Sequence, residues 1–201
     1  MDGFYFHRGL RPGSRSGRVS RSLDARELDD AAGGRGQLVL VGGEAGVGKT
    51  TLIDAFREVS EARCRVLIGA CDALSTPRPL GPLLDVARAV GGKLRAALEA
   101  GSRDTVFRTL LDELDASAPP TALVFEDAHH ADDATIDLRR FVGRRIAGRR
   151  ALVILTYRDD ELGPRHPLRV LFGDLATCAV RRMVVPPLSQ AAVAEMGSRA
   201  P

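Results

Sequence analysis

Glycine dominates the segment GGEAGVGKTT at residues 42–51, and this segment constrains the fold more than any other in the chain. It directly follows the apolar run LVLV at 38–41, and a helical pattern over 50–61 comes after it. Glycines weaken a strand or a helix, but they allow a loop to turn its backbone N–H groups inward. A buried strand, a glycine-rich loop and a helix in this order therefore predict an anion-binding loop at a helix N-terminus.

The segment also satisfies G-x-x-x-x-G-K-[ST], the pattern of a loop that binds nucleotide phosphates. In such a loop Lys49 supplies a positive charge for the β- and γ-phosphates, and the Thr50 hydroxyl binds Mg²⁺. The sequence thus predicts a nucleotide with β- and γ-phosphates, together with Mg²⁺, as cofactors. The predicted cofactor-binding residues are Gly43, Glu44, Ala45, Gly46, Val47, Gly48, Lys49, Thr50 and Thr51.

Two acidic residues end a second apolar run, LVFED at 123–127. Ligands of a parallel α/β sheet bind at the carboxyl ends of its strands, so Glu126 and Asp127 are expected to face the phosphates as catalytic residues. Glu126 would also bind Mg²⁺ together with Thr50, and Asp127 would polarise the attacking water. An ordinary loop that contains two acids is the alternative interpretation, and the sequence leaves it open.

A polar segment with two adjacent histidines, His129 and His130, comes next, and Asp132 and Asp133 follow. Zinc sites prefer ligands at helical or C-x-x-C spacing, and adjacent histidine side chains are expected to diverge. The segment therefore favours a polar loop, with Asp132 or Asp133 as the N-cap of the next helix, over a metal site.

The apolar run ALVILT at 151–156 ends in a polar segment, TYRDDE at 156–161. Thr156 or Arg158 at this strand end would contact a γ-phosphate, and Arg158 is expected to be a catalytic residue. A surface ion pair between Arg158 and the neighbouring acids is the alternative.

Apolar runs of strand length alternate with helical patterns along the chain, which predicts an α/β fold with a doubly wound, mainly parallel, five-stranded sheet. The runs at 122–125 and 151–155 are apolar throughout, as in strands that are covered on both faces. The predicted strands are 38–41, 65–70, 121–126, 151–156 and 179–185, and the predicted helices are 21–32, 50–61, 81–98, 104–115, 133–147 and 167–176.

Three regions are expected along the chain. Residues 1–20 are rich in arginine and turn formers and predict a disordered N-terminus. Residues 21–187 form the core, and 188–201 begin a truncated helical lid with Ser189 as N-cap. The chain is thus expected to be a fragment of a longer protein.

Composition restricts the class of partner. The formal net charge is only +3, aromatic residues make up 4% of the chain, and the arginine pairs at 139–140, 144–145 and 149–150 are interpreted as solvated helix faces. A nucleic-acid groove is the alternative for these pairs. Three cysteines at unrelated spacings, no secretory signal and no long apolar segment predict a reduced cytoplasmic protein. The bias to arginine, alanine and glycine indicates a GC-rich bacterial genome.

Four motifs occur in order over about residues 33–190: GGEAGVGKT, GACDALSTPRPLGPL, LVFEDAHHADDAT and TYRDDELGPRHPLR. Together they resemble the ATPase domain of large bacterial LuxR-type transcriptional regulators, signal-transduction NTPases with AAA-like cores. The resemblance implies a nucleotide switch in which Arg158 matches the sensor arginine and Gly17-Arg18 approach the adenine. His130 stands where the family usually has tryptophan.

The resemblance also implies partners: ATP, the lid, sensor and helix-turn-helix domains of the regulator, and a second copy of the chain. Neither a membrane nor direct, sequence-specific DNA binding by this chain is expected. ATP hydrolysis would be slow because the sequence shows no arginine finger. The alternatives are a P-loop phosphotransferase and an interaction module that binds no nucleotide.

Overall fold

Five strands form one sheet in which every neighbouring pair is parallel. A computed structural model of the protein describes Leu23, residues 25–116 and 118–175, Cys178 and residues 180–187. The strands in chain order are β1 (Gln37–Gly42), β2 (Arg65–Ala70), β3 (Thr121–Glu126), β4 (Ala151–Tyr157) and β5 (Val180–Val184). Their order across the sheet is β2-β3-β4-β1-β5. The predicted α/β fold with a five-stranded parallel sheet is confirmed.

Helices cover both faces of the sheet. They are α1 (Ala25–Ala32), α2 (Lys49–Ser60), α3 (Gly81–Val90), α4 (Gly92–Ala100), α5 (Arg103–Asp115), α6 (Asp133–Gly143) and α7 (Pro167–Asp174). Alternate residues of a strand point to opposite faces. Accordingly Val39 and Val41 pack with α1 and α2, whereas Leu38 and Leu40 pack in the core that α3 to α7 cover.

Two predicted helices are wrong in extent. The helix predicted over 81–98 is two helices, because Gly91 adopts a positive φ of 64° that ends α3. The helix predicted over 133–147 ends at Gly143, and the turn that follows carries Ile146 into the core, where it is fully buried. Arg144 and Arg145 therefore lie beyond α6. Asp132 is its N-cap, as predicted, since the side chain accepts a hydrogen bond from the Thr135 N–H at 3.0 Å.

The arginine pair at 139–140 has two different environments. Arg140 forms ion pairs with Asp137 and Asp174, as expected for a solvated face. That interpretation is wrong for Arg139, which is 2% exposed and donates hydrogen bonds to the Ala128 carbonyl and the Cys71 thiol. Arg139 lies midway between two buried apolar residues of α6 at three-residue spacing, so it is on the inner face of the helix.

Several sequence-based expectations lie outside the described residues: the disordered segment 1–20 with Gly17-Arg18, and the lid segment 188–201 with Ser189. They stay predictions. In the part of the chain that the structure describes, no helix is long and apolar enough to span a membrane.

One glycine fixes the approach of α3 to the sheet. A Cβ atom on Gly69 in β2 would overlap the carbonyl oxygen of Pro82 in α3, whereas a Cβ on Gly81 would meet nothing within 4 Å. We expect Gly69→Ala to lower the free energy of unfolding by about 1–3 kcal/mol through overpacking. The matched control, Gly81→Ala, should leave stability unchanged or raise it by about 0.4–1 kcal/mol. Urea unfolding of both variants tests this, and equal midpoints would contradict it.

Candidate nucleotide-binding site

The loop between β1 and α2 has the backbone conformation that its glycines allow. Gly46 and Gly48 have φ values of 71° and 100°, a left-handed region that residues with a Cβ rarely adopt. Gly48 is the N-cap of α2, and no side chain caps this helix end. The first N–H groups of a helix have no partner within the helix, so they remain available to an anion.

The Lys49 side chain folds back over this loop. Its ammonium Nζ donates hydrogen bonds of 2.8 Å to the carbonyl oxygens of Gly43 and Glu44, and the residue is only 7% exposed. Among the described residues, no carboxylate lies within ion-pair distance of Nζ. Burial lowers the pKa of Lys49, and the charge of Asp127 opposes that shift. A buried ammonium held only by neutral carbonyls is well suited to a bound anion.

The two residues predicted to bind Mg²⁺ lie beside each other. The Thr50 side chain acts to lower the pKa of the Glu126 carboxyl, which lies at the end of β3. The Glu126 Oε1 atom is buried without a hydrogen-bond partner, and burial raises the pKa of this carboxyl. Carboxylate and hydroxyl oxygens are the ligands that Mg²⁺ prefers, so the pair fits this ion.

Asp127 follows β3 in a strained backbone conformation. It has a φ of 49°, which costs on the order of 1 kcal/mol for a residue with a side chain. Its backbone N–H donates a 3.1 Å hydrogen bond to Oγ1 of Thr156 at the end of β4. Thr156 is 2% exposed, so its hydroxyl acts within the protein and holds the turn that carries Asp127.

Arg158 forms an ion pair just after β4. Its Nη1 atom lies 2.5 Å from Oε1 of Glu161, and this contact raises the pKa of Arg158. The structure therefore has the surface ion pair that the sequence left as the alternative. The charge of Arg158 also acts on Lys49 and Asp127, which places the three side chains at the same end of the sheet.

Sequence reasoning missed the contact between the segment after β4 and the end of β1. A Cβ on Gly42 would come within 2.6 Å of Oδ2 of Asp159 and within 2.8 Å of the Tyr157 hydroxyl. Asp159 and Asp160 both act on Lys49 to raise its pKa. The register of β1 and β4, which pairs Gly42 with Tyr157, explains this approach. Asp159 and Asp160, which follow this apolar strand in the sequence, were the signal that could have predicted the contact.

The expected divergence of the adjacent histidines is wrong. His129 and His130 belong to a 3₁₀ turn, Ala128–His130, and their ring centroids are 4.0 Å apart. Both Nε2 atoms approach Oε2 of Glu161, at 3.3 and 3.9 Å. Burial, followed by the charge of His130, lowers the pKa of His129, so this imidazole is neutral at physiological pH.

The raised pKa of Glu126 generates a stability prediction. A carboxyl that binds its proton more tightly in the folded state favours folding at low pH, and that contribution is lost as pH rises through its folded pKa. Glu126→Gln should therefore raise the free energy of unfolding of the ligand-free protein near pH 8. The expected increase exceeds about 0.5 kcal/mol, the usual limit for an ordinary surface substitution. Near pH 4 the difference should be smaller. Thermal unfolding at both pH values measures it, with the exposed Glu58→Gln on α2 as the control. A destabilised Glu126→Gln protein at pH 8 would contradict the expectation.

Solved structures share this architecture. The ORC2 protein of Aeropyrum pernix, solved as ADPNP–ADP complexes, superimposes with a TM-score of 0.64 at 16% identity, over 96% of this chain and 52% of that one. A Walker-type ATPase of Pyrococcus abyssi superimposes with a TM-score of 0.59 at 18% identity, and the match covers 94% of this chain and 60% of that one. Cdc6p of Pyrobaculum aerophilum superimposes with a TM-score of 0.58 at 18% identity, and the match covers 94% of this chain and 49% of that one. At such low identity the likeness shows the fold alone, and the chain spans about half the length of these structures.

The sequence itself matches one family model and no curated protein. The model is that of the AAA ATPase domain, and it matches residues 18–155, more than half of the chain. The matched range includes the phosphate-binding loop pattern and the acid pair that ends β3. The chain therefore belongs to the AAA ATPase domain family.

Proposed function

We propose that this domain binds ATP with Mg²⁺ and acts as the nucleotide-dependent switch of a LuxR-type transcriptional regulator, with slow ATP hydrolysis. The observation that carries the proposal is the buried Lys49 ammonium, which lies beside the uncapped N-terminus of α2 and within ion-pair distance of no described carboxylate. Phosphate oxygens are the anions that this combination of lysine and backbone N–H groups accepts. The ORC2 protein of Aeropyrum pernix, whose solved complexes hold ADPNP and ADP, supports an adenine nucleotide.

Each residue at this end of the sheet has a role in the proposal. Lys49 and the loop amides bind the β- and γ-phosphates, and Thr50 with Glu126 holds Mg²⁺, which neutralises phosphate charge. Asp127 orients and polarises the water that attacks the γ-phosphate. Arg158, which pairs with Glu161 in the structure, would contact the γ-phosphate and so sense the bound nucleotide.

The regulator context rests on sequence motifs. Four of them occur in the order found in the ATPase domains of LuxR-type regulators, and all four lie within the described residues. A phosphotransferase would use the same loop but would transfer phosphate to an acceptor instead of water. The acid pair after β3, with Asp127 held by Thr156, favours activation of water. An interaction module without nucleotide would not need the buried lysine.

The central test is the affinity for ATP. Lys49→Ala removes a charge-assisted contact of about 1.5–3 kcal/mol and should weaken binding of a fluorescent ATP analogue by about ten- to a hundredfold. The chain has one other lysine, Lys93, which is exposed on α4. Lys93→Ala changes the net charge equally and should bind like the wild type. Equal dissociation constants for all three proteins, with or without Mg²⁺, would reject a phosphate-binding role for Lys49.

Hydrolysis tests the acid pair separately. Asp127→Asn should keep the affinity for ATP within about twofold but slow phosphate release by about 10²–10⁴-fold, because only the polarisation of water is lost. Asp112→Asn, an exposed change on α5, is the control and should hydrolyse ATP like the wild type. Unchanged turnover in Asp127→Asn would assign the water-activating role elsewhere. Phosphate transfer to an added protein or small-molecule acceptor in place of water would favour the phosphotransferase.

A further inference from the structure

Two histidines and one glutamate converge next to the site described above. His129 and His130 lie in the 3₁₀ turn after β3, and Glu161 lies in the loop after β4. One ligand atom from each residue lies within 4.8 Å of the corresponding atoms of the other two. Because β3 and β4 are parallel neighbours, the segments that leave their carboxyl ends meet at this edge.

His129 is the unusual member of the cluster. Its side chain is 1% exposed, yet neither Nδ1 nor Nε2 has a hydrogen-bond partner. Buried side-chain nitrogens in proteins are nearly always hydrogen-bonded or bound to a metal. The Nε2 atom lies 3.3 Å from Oε2 of Glu161 but does not form a hydrogen bond with it. The buried imidazole thus has two nitrogens without hydrogen-bond partners beside a carboxylate oxygen.

The two separations from Glu161 are close to those between ligands of one zinc ion. Zinc binds histidine nitrogen and carboxylate oxygen at about 2.0–2.2 Å, so two ligands of a tetrahedral zinc ion are about 3.4 Å apart. The separations from Oε2 of Glu161 are 3.3 Å to Nε2 of His129 and 3.9 Å to Nε2 of His130. A shorter separation at His130 requires a rotation of His130 or Glu161, whose side chains are both partly exposed.

We propose that His129, His130 and Glu161 form a zinc-binding site with a fourth position open to solvent. Two imidazoles and one carboxylate suit zinc, whereas Mg²⁺ prefers six oxygen ligands. His130 and Glu161 are 27% and 36% exposed in their side chains, which leaves an entry path and room for a water ligand. This site is distinct from the Mg²⁺ pair Thr50 and Glu126, and it requires no nucleotide.

The nearest other imidazole does not belong to the site. His166 accepts a hydrogen bond from the Leu168 N–H at its Nδ1 atom, and its Nε2 atom lies 3.1 Å from the His129 carbonyl oxygen. Both nitrogens therefore have partners. The second oxygen of Glu161 also has a partner, Arg158, so only Oε2 of this carboxylate faces the histidines.

Titration of the full 201-residue chain with ZnCl₂, followed by calorimetry in excess Mg²⁺ and without ATP, tests the proposal. We expect one zinc ion per chain. His130→Ala and Glu161→Gln should each weaken zinc binding by about 10–100-fold or more. Loss of a residue that only supports a metal ligand already costs about that much affinity. The control variant changes a histidine and a cysteine outside the cluster, His7→Ala with Cys178→Ser, and should bind zinc like the wild type. Circular dichroism melts establish that each variant is folded.

X-ray absorption at the zinc edge of the loaded wild-type chain gives a test that requires no variant. Two imidazole ligands and no sulfur are expected. The absence of stoichiometric zinc binding, sulfur in the coordination shell, or full zinc affinity in folded His130→Ala and Glu161→Gln proteins would each overturn the proposal. Zinc binding by Lys49→Ala should be unchanged, so a failed nucleotide test and a failed zinc test are distinguishable.

Discussion

A buried positive charge held only by neutral carbonyl oxygens is the constraint on which the nucleotide site depends. An ammonium in such a position is penalised by desolvation, and burial accordingly lowers the pKa of Lys49. The segments after β3 and β4 could have provided a carboxylate, since Asp127, Asp159 and Asp160 are near enough to act on Lys49. They stay beyond ion-pair distance. The site thus keeps its positive charge for a ligand, at a cost in stability that functional sites commonly carry.

The strand order explains how the parts of the site are connected. β4 lies between β1 and β3, so its end contacts both the loop and the acid pair. On one side Tyr157 and Asp159 crowd against Gly42, and on the other Thr156 holds the N–H of Asp127. The segment after β4 is therefore the structural link between the loop proposed to bind phosphate and the acid pair proposed to activate water.

The sequence predicted the elements well because their signals are local. Continuous apolar runs marked the central strands, and the glycine pattern located the loop to the residue. The order β2-β3-β4-β1-β5 depends on non-local pairing, which periodicity does not encode. The break at Gly91 was missed because the apolar spacing continues beyond it. The inner position of Arg139 was also missed, although the buried residues Ile136 and Val142 flank it at helical spacing. The role of each site residue remains a prediction, because function depends on ligands that the sequence only implies.

The histidine pair shows why backbone conformation decides what neighbouring side chains do. In a strand, adjacent residues point in opposite directions, whereas in a 3₁₀ turn they are about 120° apart. The left-handed conformation of Asp127 starts such a turn, and both imidazoles then face the loop that carries Glu161. One carboxylate consequently contacts Arg158 through Oε1 and the histidines through Oε2. A ligand that drew Arg158 away would change the charge around the histidines, so Glu161 would couple the two proposed sites.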